Sequence, residues 1–203
     1  MNESRTGSGH EDRPLAAVTG ASSGIGLELA KQFAEHGFDL VVNAEDDDIQ
    51  QVADTLRRDG TDVRVVQADL RDPAAVEELH AAIRAVGRPL AAIALNAGVG
   101  QGGAFVVDTE LKYTDVTLTS LMPGPTDTEF FDRADMLDTK VGQAKKDDPA
   151  QVARQGFDSL MAGESRVVGG GLKTKVQEAA GKVMPDKAKA AMHRGMAEPG
   201  TGE

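Results

Sequence analysis

The sequence predicts an α/β fold: a doubly wound parallel sheet in three layers, α/β/α, with a reduced number of strands. Three observations point there. Short apolar runs alternate with stretches of about a dozen residues whose apolar positions recur at helical spacing, the pattern of strand, crossover helix and next parallel strand. A glycine-rich turn, TGASSGIG, stands between the first such run and the first such helix. The alternation breaks after residue 100 and resumes at VTLTSLMPG, residues 116–124.

PLAAV (14–18) is the first strand, and LELAKQFAEHG carries a helix closed by Gly37 as its C-cap. DLVVN (39–43) is the second strand. In DDIQQVADTLRRDG, Ile49, Val52 and Leu56 share a helical face before Gly60 ends the helix. DVRVVQ (62–67) is the third strand, followed by a helix with Asp72 as cap, Pro73 in its first turn and Val76, Leu79 and Ile83 on one face. LAAIALN (90–96) reads as a buried fourth strand. Beyond a poorly patterned stretch come a strand over 116–124, a helix over 149–163 and a short strand over 166–170, with one or two amphipathic helices in 172–197. Right-handed crossovers place the turns at 19–26, 43–48, 68–71 and 96–100 on one rim, where sheets of this kind hold ligands.

Composition narrows the function. At 203 residues and 40% hydrophobic, the chain suits one domain, over 14–197, between disordered tails at 1–13 and 198–203. A net charge of −11 and a pI near 4.8 disfavour nucleic acid or an anionic membrane as partner. No run approaches the roughly 18 apolar residues needed to cross a bilayer, and MNESRTGSGHEDR is not an export signal, so a cytoplasmic location is expected. There is no cysteine, and His10, His36, His80 and His193 are scattered, which points to no metal site.

The chemistry sits in the turns. Gly20, Gly24 and Gly26 fall between strand and helix, where glycine permits a tight turn and lets a pyrophosphate approach main-chain N–H groups at the positive helix end. Asp69 ends the third strand and reads either as an acceptor for an adenine amino group or as a helix cap. Asn96, Ala97 and Gly98 end the fourth strand with small residues, as a ribose contact or an ordinary turn would.

In order, TGASSGIG, ADL at 68–70, NAG at 96–98 and PGPTDT at 123–128 resemble the short-chain dehydrogenase/reductase family, whose Rossmann-like domain binds NAD(H) or NADP(H). The resemblance implies that Gly20, Ser22, Ser23, Gly24, Ile25 and Gly26 form the phosphate and ribose loop. It implies that Asp69 and Leu70 meet the adenine, and that Asn96, Ala97 and Gly98 flank a ribose. Pro123, Gly124, Thr126 and Thr128 would lie near the nicotinamide. At the end of the second strand, Glu45 or Asp46 would repel a 2′-phosphate, which favours NAD over NADP.

The family's reaction resembles proton-coupled hydride transfer between an alcohol and a carbonyl. It uses a tyrosine, a lysine four residues later and a serine on the preceding strand. Tyr113 is the only tyrosine here, Thr117 stands four residues after it, and it precedes a strand whose far end carries the rim. No catalytic residue is therefore assigned. Residues 99–122 are also short for the two strand-plus-helix units that the family places there, at about 30 residues or more per βαβ unit. The segment around 99–115 reads as the seam of an internal deletion that removed the catalytic strand and its helices, impairing or abolishing activity. Loss of those helices makes the family's usual oligomer doubtful. The strand over 116–121 is expected to shift beside the strand over 90–96. A working oxidoreductase with another proton donor, a non-enzymatic interaction protein and a poorly folded deletion product are the alternatives. The substrate is not legible.

Overall fold

The computed structural model describes residues 13–98 and 116–172, together with 174 and 176. The chain divides into two compact units, residues 1–98 and 99–203. Tyr113, the seam expected over 99–115, most of the helical stretch expected over 172–197 and the expected tails lie outside the described residues, except Arg13, which is not disordered: its guanidinium donates to Gly37 O at 2.9 Å and to Gly60 O at 2.7 Å.

In the first unit the order is β1 (Leu15–Thr19), α1 (Gly24–Glu35), β2 (Asp39–Ala44), α2 (Asp48–Arg58), β3 (Val63–Gln67), α3 (Pro73–Arg84) and β4 (Leu90–Ala94). All pairings are parallel, in spatial order β3-β2-β1-β4. The chain steps outward twice and then returns past β1, so right-handed connections put α1 and α2 on one face and α3 on the other. This is the doubly wound, Rossmann-like arrangement that the alternation of elements predicts. β1 and β2 are buried along their whole length. Toward α3, Leu15, Ala17, Val41, Val66 and Leu79 form one cluster, with Leu70, Ile83 and Val86 packed against it.

Two helical faces differ from the expected ones by a position. The buried side of α2 is Ile49, Ala53 and Leu56, with Val52 only half-buried. On α3, Ala75 and Leu79 are buried, whereas Val76 is 47% exposed. In both helices an alanine that periodicity weighs lightly is buried, and the neighbouring valine is not. Asp72 caps α3 as expected, its carboxylate accepting from the Ala74 N–H at 2.9 Å, with Pro73 at the first helical position.

The fourth strand is not buried. Ile93 is 44% and Leu95 68% exposed, because among the described residues β4 pairs with β1 alone.

The second unit holds β5 (Ser120–Pro123), α4 (Phe130–Arg133), α5 (Lys140–Gln143), α6 (Pro149–Met161) and β6 (Arg166–Gly169). The strand expected over 116–121 to sit beside 90–96 forms instead at 120–123 and pairs in parallel with β6, in a sheet of its own. α6 explains the preference. It is the crossover between these two strands, and Val152, Ala153 and Phe157 on its inner side are buried. A Cβ on Gly156 would meet Leu121 Cδ2 at 2.8 Å and one on Gly169 would meet Leu121 Cδ1 at 2.9 Å, so helix and strands close tightly around Leu121. A βαβ unit with its helix in place outcompetes a pairing that would leave β5 uncovered.

Candidate functional site

The turn after β1 is built around two backbone conformations that side chains resist. Gly20 has φ +63° and Gly24 has φ +57°, so the chain turns sharply and then enters α1. Gly26 has a different reason. A Cβ there would lie 2.0 Å from the Gly20 carbonyl oxygen and 2.5 Å from Asn96 Nδ2. The first turn of α1 therefore rests directly on the loop that precedes it, as close as two backbones come. Ser23 is the N-cap in extended conformation and makes no side-chain cap bond. The main-chain N–H groups of Gly24, Ile25 and Gly26 open the helix at its positive end.

Neighbouring strand ends lock this loop. The Ala21 N–H donates to Asn43 O at 3.0 Å, and buried Asn43 spends its own amide on Val66 O and Ala68 O, each at 3.0 Å. Thr19 Oγ1 accepts from the N–H groups of Asn96 and Ala97, both at 3.0 Å. Asn96 Nδ2 donates to Thr19 O at 3.3 Å and to Gly20 O at 3.2 Å. The Asn96 side chain thus ties the end of β4 to the glycine turn, while Ala97 and Gly98 are exposed beside it.

Carboxylates gather at the ends of β2 and β3. Ser22 Oγ donates to Asp46 Oδ2 at 3.0 Å, which ties the loop to the β2 terminus. Glu45 is exposed and is reached by Arg71 Nη2 at 3.1 Å. Arg71 also grips Asp69, with Nε at 2.9 Å from both carboxylate oxygens and Nη2 at 2.7 Å from Oδ2. The hydrogen bonds from the Arg71 side chain and backbone hold the Asp69 carboxyl below its ordinary pKa. The Asp69 partner in turn raises that of Arg71. Leu70 turns its side chain partly into the core on the α3 side.

The first-unit residues named from the sequence, Gly20, Ser22 to Gly26, Glu45, Asp69, Leu70 and Asn96 to Gly98, thus lie in the turns at the carboxyl ends of β1 to β4 or, for Gly24 to Gly26, in the first turn of α1. Those of the second unit lie at and beyond the end of β5. Gly124 donates its N–H to Gly169 O at 3.1 Å, and Pro123 is the last residue of the strand. Thr126 is buried, and its hydroxyl donates to Gly124 O at 2.8 Å. Thr128 Oγ1 accepts from the Phe130 N–H at 3.4 Å at the entry to α4. Among the described residues no group of His, Asp or Glu could hold a metal ion.

Sequence reasoning missed Thr19, Asn43 and Arg71. Arg71, two residues beyond Asp69, is a local pairing that the ADLR stretch suggests. Its reach to Glu45 is not local and needs the sheet order.

Residues 14–108 match the family model for short chain dehydrogenases. The chain is 37% identical over 91 residues to an oxidoreductase, UcpA, of Salmonella typhimurium, a match covering 45% of this chain and 35% of that protein. It is 42% identical over 71 residues to a 1-deoxy-11-beta-hydroxypentalenate dehydrogenase of Streptomyces avermitilis, covering 34% of this chain and 26% of that one. The matched segment thus spans between about a quarter and a third of the length of these relatives. Among solved structures, a short-chain dehydrogenase from Sphingobium yanoikuyae in complex with NADPH superposes with a TM-score of 0.69 at 21% identity, over 89% of this chain and 94% of that one. A short-chain dehydrogenase/reductase from Burkholderia phymatum in complex with NAD gives 0.67 at 19% identity, over 94% and 98%. At such identities these two show the shared α/β fold.

Proposed function

We propose, from the premise that residues 14–108 are of the short-chain dehydrogenase family, that this chain binds a nicotinamide dinucleotide at the rim of its first unit and carries out little or no turnover. The observation that carries the binding half is the contact between Gly26 and Gly20. A Cβ at 26 would strike the Gly20 carbonyl, and a loop held that tightly against a helix N-terminus is the feature that a pyrophosphate requires. Gly20, Ser22, Ser23, Gly24, Ile25 and Gly26 hold the phosphates and the adjoining ribose. Glu45 accepts from the 2′-hydroxyl of the adenosine ribose, and Asp69 with Leu70 meets the adenine. Asn96, Ala97 and Gly98 flank the second ribose. The acidic end of β2 favours NAD over NADP.

When bound, such a coenzyme supplies a hydride for an alcohol and carbonyl pair. The chain's own share of that reaction would be a proton donor, and here the sequence supports loss. Tyr113 is the only tyrosine and has Thr117, not lysine, four residues on. We attribute this to an internal deletion near 99–115, which also accounts for the short interval between the NAG and PGPTDT stretches.

Two assays test the reading. Titration with NADH, followed by its own fluorescence, is expected to saturate at one site per chain. A panel of aldehydes and ketones is expected to give no NADH oxidation above background. Absence of saturation would sink the binding half, and substrate-dependent oxidation would sink the other.

A further inference from the structure

One cation spans the ends of two strands at the rim. Arg71 lies in the turn between β3 and α3, and its guanidinium contacts Asp69 at 2.7 Å and Glu45 at 3.1 Å. Its backbone N–H adds a bond to Asp69 Oδ1 at 3.0 Å, which fixes the turn from which the side chain extends. The two acids that end β2 have separate partners: Ser22 of the glycine loop donates to Asp46, while Glu45 receives Arg71.

The Arg71 and Glu45 side chains are 67% and 50% exposed. In water an ion pair between groups so exposed is weak and exchangeable. A phosphate monoester, with more charge and three acceptor oxygens, is a stronger partner for the planar guanidinium fork than one carboxylate oxygen.

We propose that Arg71 is a specificity-determining residue for the adenosine ribose: paired with Glu45 it holds that carboxylate for a 2′-hydroxyl, and turned from Glu45 it receives a 2′-phosphate. The inference rests on the dinucleotide reading of the same rim and adds to it the residue that sets how steeply the site discriminates. Glu45 and Asp46 repel the phosphate, and Arg71 limits that repulsion. Neutralising Glu45 leaves the guanidinium without that competitor, so the two substitutions are coupled rather than additive.

Calorimetric titration of NADH and NADPH into the wild type, Arg71→Met, Arg71→Lys, Glu45→Gln and the double variant Glu45→Gln/Arg71→Met tests this. Arg71→Met is expected to weaken NADPH by about tenfold while NADH changes by less than about threefold. Arg71→Lys, which keeps the charge and loses the fork, should fall between. Glu45→Gln should strengthen NADPH by about tenfold, and the double variant should lose that gain. If Glu45→Gln gains the same NADPH affinity with or without Arg71, only repulsion has been relieved and the proposal fails. If Arg71→Met weakens both coenzymes equally, the residue supports the turn without reading the ribose and the proposal also fails. Binding of neither coenzyme by the folded wild type would overturn the dinucleotide reading itself, and this inference with it.

Discussion

Gly26 and Gly37 are both glycines at the edge of α1, yet they answer to different physics. At Gly37 φ is +82° and no atom lies within 4 Å of where a Cβ would stand, so Gly37→Ala meets backbone strain alone, at about 1 kcal/mol. At Gly26 a methyl group has nowhere to go. Gly26→Ala should cost about 1–3 kcal/mol in overpacking and weaken NADH by more than tenfold, because the loop must move away from the helix. Thermal denaturation and NADH titration of both variants check this; equal coenzyme affinity in the two would contradict it. Asp39 begins β2 at the opposite rim. Its side chain is 1% exposed and takes Arg88 Nη2 at 2.5 Å, Arg13 Nε at 3.4 Å and the Asp62 N–H at 3.0 Å. Burial pushes its pKa up, but the bonds from Arg88 and Asp62, with the charges of Arg88 and Arg13, outweigh this and leave it lowered. Such a group stabilises the fold fully above the unfolded carboxyl range near pH 4, and that contribution is lost as pH falls through the lower folded value. Asp39→Asn should therefore cost about 3–5 kcal/mol at neutral pH. The gap in Tm between variant and wild type should shrink as pH drops below about 4.

At the scale of elements, what could be read from the sequence depended on whether an element's partners are its neighbours in the chain. β1, β2 and β3 are short apolar runs whose helices pack back on them, and each forms within a residue or two of its expected span. The glycine turn was legible for the same reason, since Gly20, Gly24 and Gly26 act on one another across a few residues. β4 and β5 were not. LAAIALN has the composition of a central strand, but composition carries no record of what stands on its far side, and Ile93 and Leu95 are exposed. β5 chose β6, whose covering helix α6 follows it in the chain, over a strand much earlier. Arg71 was missed because Glu45 is 26 positions away and becomes a neighbour only once β2 and β3 pair. The contrast between interior and edge is measurable. Ile49→Ala on α2, where the side chain is 0% exposed, should cost about 2–5 kcal/mol. Ile93→Ala on β4, at 44% exposed, should cost clearly less by denaturant unfolding.

For the molecule as a whole, the first unit carries the glycine turn, both strand-end acids and the residues that brace them, while the only tyrosine of the chain falls outside the described residues. The function proposed for the chain is that of a dinucleotide binder of dehydrogenase type with its chemistry curtailed. That account stands or falls on whether the glycine turn holds a coenzyme. Gly24 has φ +57°, begins α1 and follows the N-cap, so an aspartate there is strained and sets a negative charge at the proposed pyrophosphate position. The decisive measurement is calorimetric titration of NADH into the wild type and Gly24→Asp. Saturable binding to one site in the wild type, lost in a folded Gly24→Asp, is the expected result; no binding by the wild type, or the same affinity in both, would contradict the account.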